Sequence, residues 1–142
     1  VKKLELDSAL AWILNHYPST QAVYLFGSAV TDTLTAQSDL DLALLLPAEQ
    51  VLAQHELMRS ALQVQLESHY GSVDLISLRQ VSTVFQHEIV QTGSVIFVAE
   101  SFGQTALDKF ELTVAARYRK LNEERAEIIQ EGLATGFYPV KL

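Results

Sequence analysis

With 142 residues, 49% of them hydrophobic, the chain is long enough for one buried core and too apolar for a disordered segment. A formal net charge of −7 argues against a nucleic-acid backbone as the main partner, and the lack of cysteine excludes disulfides and a thiolate zinc site. No stretch approaches the roughly 18 uninterrupted apolar residues of a membrane span, and charges in Lys2-Lys3-Leu4-Glu5-Leu6-Asp7 stand where a secretion signal needs an apolar centre, so a cytoplasmic location is expected.

In chain order, the first predicted element is a helix from Leu4 to Tyr17. Leu6, Leu10, Ile13, Leu14 and Tyr17 recur at helical spacing. Asp7 or Ser8 can cap a late start, and Pro18 ends the helix. Trp12 and His16 lie off the stripe and read as half-buried surface residues. Strand one is Ala22–Phe26, an apolar lead-in to Gly27-Ser28. Strand two is Asp39–Leu46. Its nearly continuous apolar run predicts cover on both faces and a central place in the sheet. Pro47 at a tolerated first helical position and Glu49 in the first turn predict a helix to about His69, with Met58, Leu62 and Leu66 on one face and Gly71 closing it. His55 and His69 lack a spaced acidic or histidine partner and read as solvated.

Strand three is Ser72–Leu78, with Asp74 among its apolar residues. A strand–helix–strand unit makes strands two and three parallel, with a right-handed crossover. Gln80 to Gln91 reads as a helix carrying Val81, Val84, Phe85 and Ile89; Thr92-Gly93 ends it, and Ser94–Val98 is a short fourth strand. From Thr105 to Glu131 helical spacing returns through Leu107, Phe110, Val114, Tyr118, Leu121 and Ile128. That helix would be roughly 40 Å long, more than a core this size needs. Either it packs wholly within its own chain, or its remainder is a docking surface. The ending Gly136-Phe137-Tyr138-Pro139 is too irregular for a helix and reads as a loose tail or a partner-binding arm.

Chemistry concentrates between Leu25 and Leu46. Residues i and i+2 of a strand share a face, so Asp39 and Asp41 project together, roughly 7 Å apart at the backbone. Structure alone gives no reason to set two like charges side by side. Magnesium supplies one: it is held by carboxylates and substrate phosphates, and two such ions about 4 Å apart can clamp an in-line displacement at phosphorus. Gly27 lets the backbone approach a phosphate, and Ser28 adds a donor; if a helix starts there, its free N–H groups form an anion site. Ser38 is a turn residue or orients a carboxylate. Parallel pairing brings Asp74 to the same end as Asp39 and Asp41. For Gly27 to reach that end, strand one must run antiparallel to strand two. The expected fold is therefore α/β (α+β): a mixed, mostly four-stranded sheet flanked by helices, with a long C-terminal helix. Residues 1–100 form the core and 101–142 the helix and tail. Arg79 and His87 read as surface residues of a helix start and face; the alternative is approach to a nucleotide or partner.

Gly27-Ser28, ten intervening residues, then Asp39-Leu40-Asp41 resembles the signature of the DNA polymerase β superfamily of nucleotidyltransferases. More narrowly, the chain resembles the minimal nucleotidyltransferases encoded beside HEPN-domain ribonuclease toxins. Val73-Asp74-Leu75-Ile76-Ser77-Leu78-Arg79 looks like the family's third-carboxylate strand, so the resemblance covers most of the first 100 residues. It implies the nucleotidyltransferase fold, ATP as donor, two Mg²⁺ ions on Asp39, Asp41 and Asp74, and nucleotide contacts from Gly27, Ser28 and Ser38. It also implies a HEPN-domain toxin as partner, silenced by adenylylation of a tyrosine. One departure stands out: many relatives carry Arg-Gly where this chain has Val30-Thr31, which puts an arginine contact from this loop in question. The rival reading is a non-enzymatic antitoxin that keeps the fold and neutralises its partner by occlusion. A haloacid-dehalogenase-type phosphatase fits poorly, because the apolar run follows the Asp pair instead of preceding it. A single glycine at the end of strand one argues against a dinucleotide site.

Overall fold

The protein is described by a computed structural model covering residues 5–27 and 39–135. Its first helix, α1 (Asp7–His16), buries Ala9 and Ile13. Neither Asp7 nor Ser8 caps it. Asp7 is already helical, and Leu6, at the cap position, offers no side-chain acceptor. Strand β1 (Ala22–Phe26) has the expected bounds, and β2 (Leu40–Leu45) loses one residue at each end.

The single helix expected from Pro47 to about His69 is not formed. A 3₁₀ turn (Ala48–Gln50) is followed by extended residues 51–53, then α2 (Gln54–Met58) and α3 (Ala61–Tyr70). The restart is local: the Ser60 hydroxyl accepts from the Gln63 amide at 3.1 Å, capping α3. Ser60 and Gln63 stand at capping-box spacing, a boundary signal already present in the sequence. Gly71, at φ +84°, closes α3 as expected. Leu62 and Leu66 are fully buried, but Met58, beyond the break, is 50% exposed.

The break has a use at β3 (Val73–Ser77), an edge strand. The Gln54 amide donates to the Leu75 carbonyl at 2.7 Å and accepts from the Ser77 N–H at 2.7 Å, as a neighbouring strand would. Gln63 donates to the Val73 carbonyl at 2.7 Å. Two side-chain amides thus occupy ladder positions that an edge strand otherwise leaves open.

After a 3₁₀ turn (Leu78–Gln80), α4 (Thr83–Thr92) starts later than the sequence pattern suggests, because Ser82 caps it through the Phe85 N–H at 3.2 Å. Strand β4 (Ser94–Val98) follows, then α5 (Gly103–Thr135), whose 33 residues span about 50 Å. The sheet order is β3-β2-β1-β4. β2 pairs parallel with β3 and antiparallel with β1, and β1 pairs antiparallel with β4, giving the mixed sheet expected. Alternation along the strands divides the core in two. Val23, Leu42, Leu44 and Leu75 cluster with Ile13, Leu57 and Leu62 of α1, α2 and α3. Tyr24, Ala43 and Leu45 cluster with Ile89 and Leu107 of α4 and α5. Fully buried Tyr24 donates from its hydroxyl to Glu111 at 2.5 Å, tying α5 to the sheet centre. That tie lies in the first half of α5. Leu107 and Val114 are fully buried, whereas residues 122–131 are all exposed.

Candidate functional site

Strand register builds the site. Phe26 of β1, Asp41 of β2 and Asp74 of β3 are direct partners across three adjacent strands. Directly paired residues share a face, so one row carries an aromatic ring and two carboxylates. Asp39, just before β2, completes a trio: one carboxylate oxygen from each of Asp39, Asp41 and Asp74 lies within 4.8 Å of the others. The predicted convergence of the three acids is thus present in the fold, at the starts of the two parallel strands.

The arrangement is electrostatically unfavourable by itself, since like charges directly opposite each other weaken strand pairing. The cost falls on Asp41, which is half-buried between two exposed acids. Burial, the charges of Asp74 and Asp39, and a hydrogen bond with Asp74 raise its pKa from the ordinary 3.8 to about 6. Three converging carboxylates offer a hard, all-oxygen donor set, and a divalent cation such as Mg²⁺ matches both their chemistry and their excess negative charge.

Gly27 is required at the bend above Asp41 on two grounds. Its φ of +73° lies in the left-handed region. A Cβ placed there would also overlap the Asp41 Oδ2 atom. The glycine therefore lets the backbone after β1 close directly onto the central carboxylate. Ser28 and Ser38, the other two residues expected at the nucleotide, lie outside the described residues, as do Val30 and Thr31.

Phe26, in sequence only the end of an apolar lead-in, stands beside Asp41, with the Phe85 ring of α4 edge-on at 5.9 Å. Its place in the acidic row becomes visible once the antiparallel register of β1 and β2 is fixed. Arg79 is not at this site. Its Nε donates to the Leu46 carbonyl at 2.6 Å and its Nη2 to the Gln21 Oε1 atom at 2.8 Å, beyond the opposite end of β2. His87 stacks on Tyr118 of α5 at 3.7 Å. His55 and His69 are exposed, as the sequence suggests, although His69 meets the Trp12 ring edge-on at 5.3 Å. Trp12 and His16 are half-buried. No helix of the described residues is long and apolar enough to cross a membrane.

The family model for polymerase β nucleotidyltransferases matches residues 9–101, a span holding all three acids and Gly27. The chain is similar to the protein adenylyltransferase MntA of Shewanella oneidensis, 29% identical over 135 residues, covering 94% of this chain and 91% of MntA. It resembles a chain in the crystal structure of a toxin–antitoxin with AMP-PNP, at TM-score 0.75 and 29% identity over 92% of this chain and 99% of that one. A chain in the tri-AMPylated Shewanella oneidensis HEPN toxin in complex with MNT antitoxin matches at TM-score 0.68 and 27% identity, over 89% and 94% of the respective chains.

Proposed function

This chain belongs to the polymerase β nucleotidyltransferase family, and from that premise we propose that it moves AMP from ATP to a tyrosine hydroxyl of a HEPN-domain ribonuclease toxin, acting as that toxin's antitoxin. The observation that carries the proposal is the convergence of Asp39, Asp41 and Asp74 under a bend that only glycine fits. An antitoxin that worked by occlusion alone would have no need of such a site. The relative MntA is a protein adenylyltransferase, and a similar structure contains an AMPylated HEPN toxin, which supports a HEPN toxin as the protein modified. The similar toxin–antitoxin structure with AMP-PNP supports ATP as the donor.

In this reading Asp39, Asp41 and Asp74 hold Mg²⁺, two ions in all. Bound there, the metal offsets polyphosphate charge and acidifies the acceptor hydroxyl. Gly27 and Ser28 seat the outgoing phosphates, and Ser38, adjacent in sequence to Asp39, binds the nucleotide. Asp41 serves as a ligand in its ionised form, so metal binding competes with the proton that burial and the neighbouring carboxylates favour in the metal-free site. The acceptor oxygen forms a bond to the α-phosphorus while the bond from that phosphorus to the oxygen bridging to the β-phosphorus breaks. Pyrophosphate leaves with the electron pair, and Asp74 takes the hydroxyl proton. Phe26 gives this row an apolar flank. Residues 1–100 are then the catalytic core, and 101–142 the packing and docking extension.

The test is to combine the chain with labelled ATP, Mg²⁺ and the HEPN-domain protein. Label should appear on that protein and vanish with the Asp39→Ala, Asp41→Ala double variant while the complex still forms. An unlabelled partner in a formed complex removes the transferase reading. Full neutralisation of the toxin by the double variant leaves occlusion as the function.

A further inference from the structure

The distal half of α5 carries its charge in two blocks of opposite sign. Arg117, Arg119 and Lys120 sit in its middle, and Glu123, Glu124, Glu127 and Glu131 follow toward its C-terminal end, with Arg125 as the single cation among them. Of these glutamates only Glu131 lies near the last turn, where an acidic group opposes the macrodipole; the others are too far from the helix end to feel it. Lysine four residues before glutamate, as in Lys120 and Glu124, is the weaker of the two i,i+4 orientations. Intrahelical pairs in this orientation contribute only weakly to the helix, at most about 0.2–0.5 kcal/mol each.

Spacing places the two signs on one stripe. Arg117, Lys120, Glu124 and Glu127 follow at intervals of three and four, so they share a face, and all four are exposed. Toward the sheet domain, Arg117 lines a groove of about 260 Å³ with Lys109, Arg79, Phe102 and Phe110. The Arg79 guanidinium there lies 5.3 Å from the Phe110 ring centre and hydrogen-bonds to neutral oxygens. A cationic, aromatic-walled groove thus runs into a stripe that turns anionic after one more helical turn. Ile128, 49% exposed, lies beside that anionic stretch.

Reversing the direction of this stripe exchanges its halves. With a two-fold axis beside Asn122, Glu124 meets Lys120 and Glu127 meets Arg117 of the other helix, and the same pairs recur by symmetry. A surface that complements its own reversed copy is the requirement for an isologous interface. We propose that the exposed half of α5 is a self-association surface on which a second copy of this chain packs antiparallel, Glu124 and Glu127 of each helix against Lys120 and Arg117 of its partner.

The test reads mass, not activity, and is independent of the transferase proposal. Sedimentation of the chain by itself at low ionic strength should give twice the 15.8 kDa chain mass. High salt should weaken the pair, because exposed charges are screened. The Arg117→Glu, Lys120→Glu double variant and the Glu124→Lys, Glu127→Lys double variant should each be monomeric with unchanged helix content. Mixed one to one they should restore the dimer, with affinity at least roughly tenfold above either variant alone. A wild-type chain that stays monomeric at about 100 µM, well above a micromolar dissociation constant, overturns the proposal. So does a dimer that survives both reversals, or reversals that disturb only the binding of a different protein.

Discussion

The two ends of β2 treat charge in opposite ways. Where the strand begins, Asp41 faces Asp74 directly, has Asp39 beside it, and is pushed up to about 6. Just past where it ends, Arg79 is satisfied from within the chain by the Leu46 carbonyl and the Gln21 amide, with the Phe110 ring alongside. Burial draws the Arg79 pKa down, the Glu49 charge opposes that, and Arg117 adds to it. Both are ionisable groups partly withdrawn from water. One is bonded as a structural brace, and the other is held among like charges that a proton or a bound cation relieves. Partial burial of a charge therefore does not mark function by itself; what marks it is burial without a compensating partner.

Asp39→Ala with Asp41→Ala breaks the contrast most severely. AMP transfer should fall by roughly 10³-fold, the scale of losing a principal electrostatic group. The metal-free melting temperature should hold or rise, since a repulsive cluster is dissolved. Labelled transfer and a thermal melt read the two effects. Arg79→Met should do the reverse. It should cost about 1.5–3 kcal/mol in urea unfolding, because two hydrogen bonds from a charged group are lost and the Leu46 carbonyl is left unpaired. Transfer per folded molecule should be unchanged. Gly27→Ala sharpens the comparison at the acidic end. It should cost about 1–3 kcal/mol through its left-handed backbone and also lower transfer, because the new methyl displaces the Asp41 carboxylate.

The smallest effect is pH dependence. The folded chain holds the Asp41 proton more tightly than the unfolded one, so stability from this group is present below about pH 4 and lost as pH rises to about 6. For a half-exposed carboxylate the loss should stay under about 1 kcal/mol after solvent screening. Asp41→Asn should flatten that part of the stability profile. Mg²⁺ should raise the wild-type melting temperature at pH 7.5 and leave that of Asp41→Asn nearly unmoved.

The acidic end was legible in the sequence because strand alternation and chain direction fix it. Ala22–Phe26 and Ser94–Val98 keep their expected bounds; the parallel pairing follows from the strand–helix–strand unit, and the antiparallel one from the need to bring Gly27 to the acids. What did not show was decided by single side chains reaching across the fold. Ser60 cut one expected helix into two, although its spacing to Gln63 was there to be read. Gln54 left no local trace, since its partners are 21 and 23 residues away. Arg79 stands in the turn after the Asp74 strand, yet it donates to the Leu46 carbonyl, a contact no spacing rule reveals.

The Gln54 amide along β3 has a consequence for how the molecule behaves in a crowd. An unsealed outer strand invites copies to stack and seed fibrils. By filling the Leu75 and Ser77 positions, one neutral side chain acts as a chaperone built into the folded state. Its replacement by leucine would leave a folded chain with a growing tip, visible as slow thioflavin-positive aggregation before any fall in activity.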